Sequence, residues 1–302
     1  MSRSLQLSAS TLRVRKALIS STLAALGHSG LATGKFASNV IKATALGQSK
    51  SKVKIPDWDI LVLLSFLMTE SFEPLEAVSF KDLTLKTCFL IMLASGRRAS
   101  EVCNLSGLPG DVSHEADGSL SLNFLPEFLA KNQNPESCSP VIKIPPLSSI
   151  IGLDEPDIKN CPVRALRIYR KRSQRFRNPK QRALFLSCNK NYNNDIRVST
   201  ISRWMRALII DAYLYWAGGG GGGSVSGILA LRRPKTHEIR AWAASLASKT
   251  VPLQQVLKAA YWSSEDVFVN HYLRDVSRKR GDGLNGLPAV VAAQSAVPAS
   301  TH

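Results

Sequence analysis

Four side chains able to take part in catalysis lie close together in the last third of the chain. The segment Lys235–Arg240 reads Lys-Thr-His-Glu-Ile-Arg, and Trp262 and Tyr272 follow it. His237 and Arg240 are three positions apart, so they share one face if the segment is helical. A guanidinium, an imidazole, an indole N–H and a phenol can together surround a phosphodiester.

The chemistry suited to these groups is cleavage of a phosphodiester without a metal ion. Cleavage needs a nucleophile, stabilisation of charge on the non-bridging oxygens and a proton for the leaving oxygen. Two arginines can grip the phosphate, a lysine can protonate the leaving 5′-oxygen, and a tyrosine can attack phosphorus. A second arginine, Arg98, and a lysine, Lys131, lie upstream. Acidic residues are sparse and poorly spaced for a two-metal site, so we expect chemistry without a metal ion.

The charge of the chain predicts a polyanionic partner. Lys and Arg number 39 against 22 Asp and Glu, which gives a net charge of +17 and a pI near 10.0. Residues 1–54 and 158–194 contain no acidic residue. A solvated basic face is the simpler interpretation of each run, but two of them favour contact with phosphate groups, and nucleic acid is the first expectation. The basic residues that we expect at the DNA are Arg13, Arg15, Lys16, Lys52, Lys54, Arg203, Arg232, Arg233 and Lys235.

The cysteines and the apolar runs predict the cellular compartment. The five cysteines are scattered and form no Cys-x-x-Cys pair, so we expect neither a zinc site nor a disulfide framework. No apolar run is long enough to span a bilayer, and the N-terminus lacks the pattern of a secretory signal. We therefore expect no contact with a membrane and a location in the nucleus, where DNA is.

The first 54 residues are expected to form a thin, basic helical unit. Apolar residues at helical spacing predict one helix over 8–26, which Gly27 ends, and a second over about 35–45. Two such helices cannot enclose a large core. A basic polar linker follows over 48–54, and we place a domain boundary there. This unit is predicted to be part of a DNA-clamping domain.

Residues 55–280 are expected to form a mainly helical domain with a small antiparallel sheet, an α+β fold. Alternating apolar residues predict a hairpin of two strands, Leu120–Phe124 and Val141–Ile144, with Lys131 in its loop. Leu184–Leu186 is predicted to be a further short strand. The predicted helices are Trp58–Met68 capped by Asp57, Phe80–Ser95 ended by Gly96, one from Pro162, one from Ser199 or Thr200 to Trp216, one capped by Thr236, Leu253–Ala260, and one from Ser263 or Ser264 through Tyr272.

Two further segments are predicted to lack regular structure. The six glycines Gly218–Gly223 have no side chains to bury, so we expect a flexible loop. A phosphate-cradling loop is the alternative, but no Lys-Ser or Lys-Thr opens a helix directly behind the glycines. Residues 281–302 are rich in Gly, Ala, Pro, Ser and Val without periodicity, and we expect a disordered tail.

Four motifs resemble those of the tyrosine recombinases, the phage-type integrase family. Ser95–Val102 resembles the motif of that family's first arginine, and His237–Arg240 matches its His-x-x-Arg box. Ala260–Ser264 stands where the family has Leu-Gly-His-Ser, with Trp262 at the third position, and Tyr272 falls at the position of the nucleophile. Flanking phrases such as Cys161–Leu166 and Phe268–Asp275 are most similar to recombinases of DIRS-type retrotransposons.

The resemblance implies a role for each of these residues. Arg98 and Arg240 would hold the scissile phosphate, and His237 would hydrogen-bond it or manage the proton of the tyrosine. Tyr272 would attack to give a 3′-phosphotyrosine and a free 5′-hydroxyl. The remaining implied roles are those of Lys131 as general acid, with Lys143 as the alternative, Trp262 as an indole donor or a packing residue, and Glu101 as a support for Arg98.

The resemblance also implies an architecture. A mainly helical catalytic domain would close on DNA together with a separate helical clamping domain, which here would be partial. Homo-tetramers in that family exchange strands through a Holliday junction and use no metal or nucleotide cofactor. Two departures are that Trp262 and Tyr272 are ten residues apart rather than nine, as in the DIRS-type pattern, and that Tyr261 replaces a glycine.

The sequence leads to three hypotheses about function. The first is an enzyme, a metal-independent tyrosine recombinase that breaks and rejoins DNA for integration of a mobile element. The second is a catalytically decayed or domesticated relative that binds DNA without cutting it. The third is a type IB topoisomerase with the same residues, which the retrotransposon-like phrases disfavour.

Overall fold

The computed structural model describes residues 9–28, 35–47, 58–130, 141–148, 158–188, 194–218, 234–249 and 252–259. The chain divides into two compact units, Met1–Lys54 and Ile55–His302. The clamping and catalytic roles assigned to these two parts of the sequence stay predictions.

The first unit contains two helices, α1 (Ala9–Ala25) and α2 (Lys35–Gly47). Lys16 Nζ donates a hydrogen bond of 2.5 Å to Ser38 Oγ and so joins the helices. Among the residues described in this unit, Ile41 is the only buried hydrophobic side chain. Leu18 and Phe36 are 64% and 81% exposed. The unit therefore has little core of its own, which agrees with its short, acid-free sequence.

The second unit is mostly helical. The bounds of its helices are α3 Ile60–Phe66, α4 Phe80–Ser95, α5 Ala99–Cys103, α6 Pro162–Ser173, α7 Val198–Gly218, α8 His237–Ala247 and α9 Leu253–Ala259, with a 3-10 turn at Gln174–Phe176 after α6. Within the described parts of the chain, no helix has both the length and the apolar character needed to cross a membrane.

Helix α4 is the centre of the second unit. Its residues are almost entirely buried, and it packs against α6, α7 and α8. The side chain of Ser79 accepts the backbone N–H of Asp82 at its start, and Gly96 ends it in the left-handed conformation with φ of 59°. Glycine adopts this conformation without the steric cost of a Cβ. The predicted bounds of this helix are confirmed, and its end places Arg97 and Arg98 directly before α5.

The sheet contains three short antiparallel strands, β1 (Val112–His114), β2 (Leu120–Leu122) and β3 (Ile142–Ile144), in the order β1-β2-β3. Ser121 is paired with Ser113 on one side and with Lys143 on the other. The predicted β2–β3 pairing is confirmed, whereas β1 was not predicted. The molecule is thus mainly helical with a small antiparallel sheet, as the sequence indicates.

Three local predictions are wrong. Leu184–Leu186 forms no continuous strand. The Tyr169 hydroxyl accepts the Leu186 N–H and donates to the Leu184 carbonyl, and the pairing is limited to isolated bridges of Ala183 with Ser106 and of Leu186 with Asp195. Helix α3 starts two residues later than predicted, with Asp59 as the cap that accepts the Leu61 N–H at 3.0 Å. Helix α7 starts at Val198, so Ser199 and Thr200 lie inside its first turn.

Candidate functional site

Glu101 fixes the position of Arg98 at the start of α5. The backbone of Arg98 is extended, and its N–H donates to Glu101 Oε2 at 3.1 Å. The guanidinium of Arg98 turns back and donates from Nη1 to Glu101 Oε1 at 2.7 Å. The carboxylate thus binds both the main chain and the side chain of one arginine, as expected for an acid at the third position of a helix.

The same carboxylate faces a second arginine from a different helix. Arg240 in the first turns of α8 is 1% exposed, and its Nη1 lies 3.7 Å from Glu101 Oε2. Arg97 Nη1 lies 4.0 Å from that oxygen. Glu101 itself is 1% exposed, so three guanidiniums surround one buried negative charge. The cluster keeps an excess of positive charge, and such charge favours a bound anion.

This cluster opens into a pocket of about 400 Å³ between the starts of α5 and α8 and one face of α7. His237, Lys235 and Arg206 are exposed there, and the side chain of Arg98 is 28% exposed. No acidic residue is present among its described lining residues, which are Arg97, Arg98, Ala99, Ser100, Val198, Ser202, Arg206, Lys235, Thr236, His237 and Arg240. Guanidinium, ammonium and imidazole groups around one cavity form a site suited to a phosphate group.

Glu238 and Trp58 hold the beginning of α8. Glu238 Oε2 accepts the backbone N–H of Lys235 and the indole N–H of Trp58, each at 2.9 Å. Trp58 is 1% exposed and its ring lies 6.0 Å from that of Trp242, at 59°. A residue far upstream thereby fixes the turn that carries His237. Sequence reasoning missed this contact because nothing local in either segment indicates it.

Helix α7 forms the third side of the pocket and is bonded to α8. Thr236 is the N-cap of α8, but its hydroxyl makes no capping bond and donates instead to the carbonyl of Ser202 at 3.3 Å. Arg206 Nε donates to the carbonyl of Pro234 at 3.3 Å. Thr236 is thus at the predicted N-cap position, but its side chain makes no capping bond. Its hydroxyl links two helices, and Glu238 supports the first turn instead.

The structure separates the basic residues predicted at DNA. Lys235 lines the pocket described above, whereas Arg203 lines a different pocket, one turn before Arg206 on α7. In the first unit, Arg13 and Lys16 line one shallow pocket, and Arg15 is exposed. Arg206 was not predicted; it lies four residues after Ser202 and eight after Val198, on the face of α7 that lines the cationic pocket.

Several predicted residues lie outside the described residues. They are Lys131, Trp262, Tyr272, Lys52, Lys54, Arg232 and Arg233, together with the glycines from Gly219 to Gly223 and the tail. Arg98, His237 and Arg240 line one pocket, with Glu101 behind it, but their catalytic roles stay predictions. Lys143, the alternative general acid, lies in the middle of β3 opposite Ser121.

No protein-family model and no curated protein sequence matches the chain. Among the described residues, no three His, Cys, Asp or Glu side chains are grouped closely enough to hold a metal ion.

Proposed function

We propose that the second unit breaks and rejoins DNA strands through a covalent tyrosine ester, in site-specific recombination that serves the integration of a mobile element. The observation that carries this proposal is the buried Glu101 carboxylate between Arg98 and Arg240, at the edge of a cationic pocket that His237 also lines. Two arginines held in this way can bind the two non-bridging oxygens of one phosphodiester. Their fixed positions lower the cost of stabilising charge in the transition state.

The proposed reaction balances without a cofactor. The Tyr272 oxygen attacks phosphorus, the P–O5′ bond breaks, and a 3′-phosphotyrosine and a 5′-hydroxyl result. Lys131 supplies the proton to the leaving 5′-oxygen, and the phenolic proton of Tyr272 passes to His237 or, where His237 hydrogen-bonds the phosphate instead, to water. Trp262 donates its indole N–H or packs the site. Attack by a 5′-hydroxyl of another strand reverses the step, because the ester conserves the energy of the broken bond.

The proposed assembly follows from strand exchange. Double-stranded DNA is the partner, the first unit contributes to clamping it, and a homo-tetramer on DNA joins two duplexes. The second unit would have the catalytic-domain fold of tyrosine recombinases. The excess of positive charge and the basic faces of both units support a DNA partner.

A DNA-binding protein that does not cut is the second candidate. It is favoured by the small core of the first unit, in which Leu18 and Phe36 are exposed, and by the glycine run in the sequence before the His237 box. A type IB topoisomerase would use the same residues, and relaxation of supercoils without recombination would support it.

The experiment that tests the proposal uses a suicide substrate nicked near a candidate site, so that cleavage traps the covalent species. Wild type is compared with Tyr272→Phe and with Tyr261→Phe as a matched control, in EDTA. The proposal predicts a denaturation-resistant adduct for wild type and Tyr261→Phe and none for Tyr272→Phe. Adduct formation by Tyr272→Phe would exclude the proposed nucleophile. DNA binding by wild type without any adduct would favour the second candidate.

A further inference from the structure

Helix α6 presents a second strongly basic surface, separate from the cationic pocket. Arg164, Arg167 and Lys171 recur at three- and four-residue spacing along one face, and Arg175 follows in the 3-10 turn. They line a groove of about 870 Å³. Glu76 is the one acidic residue among the described lining residues. The positive charges extend along the groove from Arg164 to Arg175, which is longer than one phosphate group.

The groove contains both structural and exposed cations. Arg164 is held by Glu73 through two hydrogen bonds of 2.9 and 3.0 Å, and Arg172 Nη1 donates to the carbonyl of Leu75 at 2.7 Å. Arg167, Lys171 and Arg175 are exposed. Burial lowers the pKa of Arg172, and the neighbouring positive charge of Arg175 adds to this effect. The groove therefore carries more positive charge than its own acids neutralise.

The groove lies at the opposite end of α4 from Arg98. Tyr169 and Phe176 pack on Phe80, the first residue of α4, with ring centroids 5.4 and 4.7 Å away. Arg98 comes three residues after Ser95, the last residue of that helix. A helix of 16 residues is about 24 Å long. A side chain in the groove therefore cannot reach the cationic pocket at the other end of α4.

We propose that this groove binds the phosphate backbone of double-stranded DNA at a second position, independently of the cationic pocket. Its exposed cations and its length match a run of phosphates. A membrane surface fits less well, because the apolar residues Val163, Leu166 and Tyr169 of α6 are fully buried and cannot enter a bilayer. The groove gives the second unit a place for a distant part of the bound duplex or for a second duplex.

The test is the salt dependence of DNA binding in the full chain. The triple variant Arg167→Gln, Lys171→Gln and Arg175→Gln is compared with Lys180→Gln, Arg182→Gln and Lys249→Gln, which removes equal charge from exposed positions outside the groove. Each phosphate contact contributes about 0.9 to the slope of log K against log salt. We expect the groove variant to reduce the slope for a duplex of about 30 base pairs by about 2 to 3. The control should change it by less than about 1.

Equal slopes for the two triple variants would overturn the proposal. The proposal would also be overturned if the groove variant bound DNA as wild type does but no longer bound vesicles that contain phosphatidylserine. That result would assign the groove to lipid. If the triple variant does not fold, Lys171→Gln alone should reduce the slope by about 0.9, and no reduction overturns the proposal. Because binding needs no cleavage, this result is independent of whether Tyr272 forms an adduct.

Discussion

The guanidinium of Arg240 lies 3.7 Å from the carboxylate of Glu101, and both side chains are 1% exposed. The other oxygen of that carboxylate binds Arg98 at 2.7 Å. One buried acid therefore links α5 to α8 and places two arginines from distant parts of the sequence at one pocket. In the proposed reaction, Glu101 keeps both arginines in position to bind the phosphate.

Substitution of Glu101 by Gln should destabilise the protein and abolish cleavage. The change removes the carboxylate charge that compensates the buried guanidiniums of Arg97 and Arg240. We expect the free energy of unfolding to fall by about 3 kcal/mol. Unfolding in urea measures this loss. The control is Glu127→Gln, since Glu127 pairs with Arg182 at 3.0 Å on the surface, where both are about half exposed. The control should lose less than about 1 kcal/mol. Equal losses would contradict a special role of the buried carboxylate.

Substitution of Trp58 by Phe should slow cleavage through the start of α8. It removes the hydrogen bond to Glu238 while keeping an aromatic ring in the core. Trp242→Phe is a matched control, because the Trp242 indole N–H has no hydrogen-bond partner among the described residues. In single-turnover cleavage at saturating DNA, Trp58→Phe should be at least about 10-fold slower than Trp242→Phe, which corresponds to about 1.4 kcal/mol. Equal rates would mean that the Glu238 contact does not position His237.

Arg206 and Arg203 should have different effects although they share a helix. Arg206 lines the cationic pocket and Arg203 does not. Arg206→Gln should lower the rate of adduct formation at saturating DNA about 10-fold or more, because it removes one cation next to the scissile phosphate. Arg203→Gln should weaken DNA affinity and leave the saturated rate unchanged. If Arg203→Gln lowered the rate at saturating DNA and Arg206→Gln did not, Arg203 rather than Arg206 would be the residue that acts on cleavage.

Lys86 should make stability depend on pH in the alkaline range. Its ammonium is fully buried and donates to the Leu67 carbonyl at 2.6 Å and to Glu73. Burial lowers its pKa from 10.5 to about 8, although the ion pair with Glu73 opposes the change. Between these two values the unfolded chain binds more protons than the folded chain. Stability should therefore rise with pH across this window.

The comparison that isolates Lys86 uses Lys86→Met, which cannot titrate at this position. The unfolding free energy of wild type relative to this variant should increase from pH 8 to pH 10.5 by up to about 3 kcal/mol. Denaturant titrations at several pH values measure the difference. A constant difference would show that the pKa of Lys86 is the same in the folded and unfolded chain.

Local patterns predicted the helices better than the contacts between them. The apolar run before Gly96 defines α4 closely, because Gly96 adopts a left-handed conformation that ends the helix. Strand β1 was not predicted, because Val112-Ser113-His114 contains one apolar residue and shows no alternation, whereas β2 and β3 have an apolar residue at both ends. Leu184–Leu186 has the composition of a strand, but the distant Tyr169 hydroxyl occupies its backbone groups.

The site shows the same limit. The spacing of His237 and Arg240 predicts a shared helical face, and both line the pocket. The motif around Arg98 predicts that Glu101 supports this arginine. In the structure Arg98 donates two hydrogen bonds to Glu101. The Trp58–Glu238 bond and the place of Arg206 depend on how distant helices pack. No local pattern encodes that packing, so only the structure reveals them.

The most direct test of the central claim examines both products of one cleavage event on the suicide substrate. Mass spectrometry of the digested adduct should find the DNA on the peptide that contains Tyr272. The released strand should carry a 5′-hydroxyl, which polynucleotide kinase labels without prior phosphatase treatment. DNA on another residue, or a released strand that needs phosphatase before it can be labelled, would contradict the proposed reaction.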